Sequence, residues 1–319
     1  MIKPLIEFDQ LISQMTLPII AAPMFIISNP DLVVAQCTSG IIGSFPALNA
    51  RQPETLCNWL TEIRLRTEKA RCKGDFVAPF AVNLIVHPNN TRLEKDLATI
   101  VEHRVPIVIT SVGKPGNIAA AVHSYGGTIF HDVTNIRHAK KALESGVDGL
   151  VLVCSGAGGH AGVLNPFALV PEVRSFFEGP LMLSGCISDG RSIHAARVLG
   201  ADLGYLGTRF IATTEANAVE EYKEMIIQSA AADITYTPEF SGIPGNYLNK
   251  SIVAAGLNPN DLALAGETVD KEYRSSTEEP RAWATIWSAG QGCGSVNDIL
   301  PTAELVLRLK AEFDAAQNH

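Results

Sequence analysis

No apolar run in this 319-residue chain is long enough to cross a membrane as a helix. The longest, LPIIAAPMFII from Leu17 to Ile27, is short and broken by two prolines. The opening MIKPLIEFDQLI carries acids at Glu7 and Asp9 and lacks the basic start and apolar core of a secretory signal, so a cytoplasmic protein is expected. Positive charge is scarce too. With 25 Lys and Arg against 33 Asp and Glu, a net charge of -8 and no basic cluster, the chain has no footprint for a phosphate backbone. Six cysteines, at 37, 57, 72, 154, 186 and 293, include no CxxC or CxxH pair, which argues for reduced core thiols over disulfides or a zinc cage. A Walker loop is missing, and no GxGxxG follows a first strand. GAGGHAG has glycines at suggestive spacing but no following acid to hold a ribose, so a Rossmann reading is poorly supported.

Apolar residues make up 46% of the chain and charged residues 18%, ample for a sheet buried on both faces. Eight short β-rich runs recur: PIIAAPM (18–24), GIIGSF (40–45), FAVNLIV (80–86), PIVITSV (106–112), TIFHDV (128–133), GLVLVC (149–154), PLMLSGC (180–186) and LGYLGTR (203–209). Between them lie helix-length segments such as PETLCNWLTEIRLRTEKA, NIRHAKKALESG and GRSIHAARVLG, apolar at helical spacing, two of them closing at glycine. This alternation predicts an α/β fold with a parallel sheet covered by helices, and eight units suggest closure into a barrel, with an open doubly wound sheet as the alternative. The rhythm breaks after Thr214. EANAVEEYKEMIIQSAA reads as a long helix, followed by turn-rich sequence with no strong strand. Residues 215–278 are therefore expected to be a smaller helical insertion over the barrel mouth, with 1–214 and 279–319 forming the barrel and PTAELVLRLKAEFDAA its last helix.

Active sites of such barrels lie at the carboxyl ends of the strands, and phosphate commonly sits on the loops after the seventh and eighth. Here those loops are SGCISDGRS (184–192) and GTRF (207–210). Gly185 permits close backbone approach, the following helix offers free N–H groups, and Gly207 with Thr208 can meet the same phosphate. Ser188 or Asp189 can equally cap that helix. Ala22, Pro23 and Met24 after the first strand offer backbone groups to a flat heterocycle, and the Asn83 carboxamide both donates and accepts. Asp132, at the end of the fifth run, joins this cofactor-facing set. His131 beside it reads as a hydrogen-bonded neighbour, since no third metal-binding partner accompanies it. In CSGAGGHAG (154–162), His160 is the one long side chain in a run of small ones.

AAPM, GAGGHAG, SGCISDGRS with LGADLGYLGTRF, and the later SGIPGNYL and IWSAGQG together resemble the nitronate monooxygenase family, formerly the 2-nitropropane dioxygenases, over nearly the whole chain. The resemblance implies an FMN-binding TIM (β/α)8 barrel. It implies that Ala22, Pro23 and Met24 border the flavin ring, that Asn83 contacts its polar edge, and that Gly158 and Gly159 let the loop pass close to it. Gly185 with Ile187, and Gly207 with Thr208, would hold the phosphate, with His160 at the reactive face. The common form of the central loop has an acid two residues before the paired glycines; this chain has Gly156.

The implied activity is FMN-dependent oxidation of alkyl nitronates by O2 to carbonyl compounds and nitrite, with His160 binding the nitro oxygens or, for neutral nitroalkanes, removing the α-proton. The alternative is NAD(P)H-dependent reduction of quinones or enoyl thioesters. A barrel dehydrogenase of the IMP dehydrogenase type is disfavoured, because no cysteine stands on a suitable flexible loop. The expected partners are a small-molecule substrate and O2, with no nucleic acid, membrane or metal.

Overall fold

The computed structural model describes residues 4–264 and 282–318. Eight parallel strands form the central sheet: β1 (Ile19–Ala21), β2 (Gly43–Pro46), β3 (Phe80–Ile85), β4 (Ile107–Ser111), β5 (Thr128–Val133), β6 (Gly149–Val153), β8 (Leu181–Ser184) and β9 (Leu203–Leu206). A two-residue strand, β7 (Gly159–His160), lies outside this sheet. The order β1-β9-β8-β6-β5-β4-β3-β2 becomes a ring through a parallel bridge between Ile20 and Ile42, reinforced by the Ala21 N–H donating to Ile42 O at 2.8 Å. The barrel therefore closes, and the fold is a TIM barrel.

The strand residues alternate between two apolar clusters. On β4, Ile107 and Ile109 join the barrel interior while Val108 packs on the helices; on β6, Val151 and Val153 point inward while Leu150 and Leu152 point out. Burial on both faces explains why these strands read as continuous apolar runs. Leu11 and Met15, at the end of the helix Phe8–Gln14, join the interior cluster, with the Phe8 ring 5.6 Å from that of Phe130. The amino-terminal end of the barrel is thus plugged by apolar side chains, and the opposite end is free for a ligand. Among the described residues no helix is long and apolar enough to cross a membrane.

Helices follow the strands as the spacing predicts. Asn135 and Asp189 cap the helices Ile136–Glu144 and Gly190–Leu199 with side-chain oxygens, and Gly146 and Gly200 end them at φ +81° and +117°. The region after Thr214 departs from expectation in two ways. Its long helix is only Glu220–Ile227, because the preceding backbone is tied to the barrel: the Asn217 N–H donates to Ile27 O, and the Glu215 carboxylate accepts from the N–H and hydroxyl of Thr302. It also contains β10 (Ile234–Thr237) and β11 (Gly245–Leu248), which form an antiparallel three-stranded sheet with β7. The expectation of a purely helical insertion is corrected accordingly; its residues 265–278 lie outside the described residues.

Candidate active site

A cavity of about 250 Å³ lies at the carboxyl ends of the strands. It is lined by Ala22, Pro23, Met24, Asn83, Asp132, Gly158, Gly159, His160, Ile187, Gly207 and Thr208, so all the residues singled out from the sequence meet there except Gly185. Gly185 stands just behind the wall. Its φ of +133°, and a Cβ position 2.9 Å from Ser155 O, leave room only for glycine.

The loop carrying His160 is held from three directions. Gly245 of β11 pairs with His160, and the buried Asn246 amide donates to Ala157 O at 2.7 Å. The Gly159 N–H donates to Ser288 Oγ at 2.6 Å, and Ser288 Oγ donates to Asn246 O. The Gln291 N–H donates to Gly156 O, while the Gly290 N–H donates to Thr208 Oγ1 at 2.8 Å. SGIPGNYL and IWSAGQG are thus the two clasps of CSGAGGHAG. Gly158 sits where a Cβ would come 2.9 Å from the Gly290 nitrogen, so it serves the crossing of two chain segments as well as the cavity.

The first clasp also holds the imidazole. Ser241 Oγ lies 2.9 Å from His160 Nε2 and 2.9 Å from Ile243 O, and Tyr247 OH donates to it at 3.3 Å. Its one hydrogen serves either Ile243 O or Nε2, so both neutral tautomers fit this contact. The ring packs edge-to-face on Trp283 at 5.0 Å, and burial pushes its pKa down to about 4. A neutral imidazole follows at ordinary pH.

Asn83 Nδ2 donates to Ser111 Oγ at 2.9 Å and to Ile109 O at 3.2 Å. Beside this pair, Asp132 lines the cavity with Oδ1 buried and without a hydrogen-bond partner, and burial pushes its pKa up to about 7. His131 faces away into structure: its Nδ1 meets Thr110 Oγ1 at 2.8 Å, and burial lowers its pKa to about 4. It is buried and hydrogen-bonded, in keeping with its reading as a hydrogen-bonded neighbour.

At the other end of the cavity, most amides at the start of the helix Gly190–Leu199 are already taken. The N–H groups of Ser188 and Asp189 donate to Ser192 Oγ, that of Gly190 to Glu312 and that of Ser192 to Asp189. Capping wins over the anion site at this terminus. The amides of Ile187, Gly207 and Thr208 have no acceptor among the described residues, which leaves the two loops themselves as the anion cradle.

Gly156, the departure in the central loop, has a local cause. At φ +79° its Cβ would lie 2.3 Å from Cys186 Sγ and 3.0 Å from Gln291 Oε1, so these side chains fill the place of an acid. Cys186 lines the cavity at φ +58°, and burial holds its thiol protonated. Sequence reasoning assigned no role to Ser241, Ser288, Trp283 or Phe25, although the first three stand in or next to the two clasps; what it lacked was the crossing that brings them to His160.

The model of the nitronate monooxygenase family matches residues 7–312. A nitronate monooxygenase of Paraburkholderia phytofirmans is 28% identical, covering 93% of this chain and 92% of its own. A 5-hydroxy-7a-methyl-1-oxo-octahydro-1H-indene-4-carboxyl-CoA dehydrogenase of Rhodococcus jostii is 23% identical, covering 95% and 84%. The structure of FabK from Thermotoga maritima superposes with a TM-score of 0.77 at 23% identity, covering 97% of this chain and 96% of that one, a likeness of fold. The chain belongs to the nitronate monooxygenase family of flavin-dependent oxidoreductases.

Proposed function

We propose that the protein oxidises alkyl nitronates with O2 to carbonyl compounds and nitrite, using FMN. Bound FMN supplies the electron acceptor and the reactivity toward oxygen. The cavity suits such a group on its own chemistry. Ile187, Gly207 and Thr208 offer amides for one phosphate, Asn83 retains a carbonyl oxygen, and the orphaned Asp132 Oδ1 calls for a donor from a polar ring edge or a sugar-like chain. Ala22, Pro23 and Met24 would border the flat part, and Tyr222, Trp283, Ser288 and Gly290 from the later segments complete the lining.

The observation that carries the substrate reading is His160, a neutral imidazole held through Nε2 by Ser241 at the cavity wall. With a pKa of about 4 it is a weak base for a neutral nitroalkane; with Ser241 donating to Nε2, its Nδ1–H is left to donate to the oxygens of an already deprotonated substrate. Preformed nitronate is therefore the favoured form, and no proton needs to leave carbon in the site.

The test is anaerobic mixing of the yellow protein with propyl-2-nitronate, and separately with NADH and NADPH. Bleaching by the nitronate supports the reading; bleaching by reduced nicotinamide alone establishes the reductase alternative. His160→Ala should retain FMN and slow any nitroalkane turnover by about 10²- to 10⁴-fold, with a smaller loss on preformed nitronate. A variant that sheds FMN while its loaded fraction works normally would make His160 a packing residue.

A further inference from the structure

Two aromatic side chains frame the open side of the cavity, and neither is needed by the cofactor cradle. Phe25 leaves the loop after β1, and Trp283 precedes the clasp Ile286–Gln291. Their rings meet edge-to-face at 6.3 Å, and Phe25 is 42% exposed where such a side chain would ordinarily be covered. Trp283 in turn packs edge-to-face on His160 at 5.0 Å.

Both positions are held against backbone preference. Ile26, next to Phe25, has φ +70°, an unfavourable region for a β-branched residue. It is pinned by its N–H donating to Asn49 Oδ1 at 2.9 Å and its carbonyl accepting from Asn217 Nδ2 at 2.9 Å. Trp283 itself has φ +62°, with its N–H donating to Ile286 O at 2.8 Å. Strain maintained by dedicated hydrogen bonds at a cavity mouth marks a position fixed for contact with a ligand. The lining of the same cavity includes the apolar side chains Leu48, Ile85 and Val112.

We propose that Phe25 and Trp283 form a clamp that selects substrates bearing a flat, uncharged, apolar group, such as an aromatic ring, next to the reacting carbon. This rests on His160 marking the substrate side of the cavity. A ring laid against the exposed faces and edges of this pair gains offset or edge contacts that a compact aliphatic group cannot make.

Two nitro compounds without an α-hydrogen separate binding from chemistry. Nitrobenzene and 2-methyl-2-nitropropane are titrated into the flavin-loaded protein and followed by calorimetry. The wild type should bind nitrobenzene about tenfold more tightly, Trp283→Ala and Phe25→Ala should each reduce that preference by about three- to tenfold, and Trp283→Phe should keep most of it. Equal binding by the wild type, or an unchanged preference in both alanine variants, overturns the clamp. Loss of flavin from both variants overturns it as well, by assigning the pair to the cofactor. Failure of nitronate turnover with the preference intact refutes the oxidation reading alone.

Discussion

Burial shifts the charge of ionisable side chains in and near the cavity before any ligand arrives, and a carboxyl and two imidazoles among them pull stability in opposite directions. Asp132 holds its proton up to about pH 7 in the fold but only to about pH 3.9 in an unfolded chain. Below pH ~4 both states are protonated, and the residue contributes nothing. As pH rises toward 7, the unfolded state releases a proton that the folded state keeps, so stability falls through that window and stays lowered above it. The upper bound is on the order of 4 kcal/mol. Asp132→Asn should therefore match the wild type near pH 4 and melt higher at pH 8, read by thermal unfolding of flavin-free protein across pH; equal melting at pH 8 would mean that the carboxyl already has a partner. His160 and His131, both lowered to about 4, act the other way: they weaken the fold as pH drops from about 6.5 to 4. The sequence shows Asp132 and His160 because both follow strong strand patterns. It cannot show that Ser241 holds His160 Nε2, which depends on a two-residue strand meeting β11.

Among the elements, those with a period are legible and those made by crossing chains are not. All eight barrel strands overlap the expected runs, since doubly buried strands leave unmistakable apolar blocks. β10 and β11 escape, because ITYT and GNYL are four residues each and lie among glycines and prolines, and β7 is two residues inside a glycine-rich loop. The loop itself depends on another crossing. A Cβ on Gly290 would come 2.6 Å from Gly156 O and 3.0 Å from the Gly158 nitrogen, and backbone atoms cannot swing aside as a flexible side chain does. Its φ is -81°, so the obstacle is space alone. Gly290→Ala should cost about 1–3 kcal/mol and loosen flavin binding by displacing the His160 loop; the checks are denaturant unfolding and the flavin content after dialysis. Full stability with full flavin content would show that the two segments part without cost.

At the scale of the whole molecule, the site depends on how the segments after Thr214 are fastened to the barrel. One ion pair, buried on its arginine side and half-exposed on its carboxylate side, does much of this. Arg209, next to Thr208, is 3% exposed; it reaches Asp298 Oδ1 at 2.7 Å and the carbonyls of Asp298 and Ala212 at 3.2 Å. Arg308 of the last helix, Thr302–Gln317, meets the other oxygen of Asp298, so a single carboxylate joins the GTRF loop, the strand-free stretch after the second clasp and the closing helix. Burial disfavours the charge on Arg209, and the Asp298 carboxylate opposes that in part. Asp298→Ala leaves the guanidinium desolvated with only carbonyl partners, a change that typically costs about 3–5 kcal/mol. Because the loss falls on the loop that supplies the Gly207 and Thr208 amides, flavin should dissociate more readily as well as the fold melting lower. Asp298→Asn, which keeps one acceptor without the charge, should sit between the two. Equilibrium dialysis of FMN alongside thermal unfolding separates these effects: melting that drops while flavin affinity holds would confine Asp298 to fastening the last helix, and no drop at all would mean that Arg209 reaches water once the carboxylate is gone.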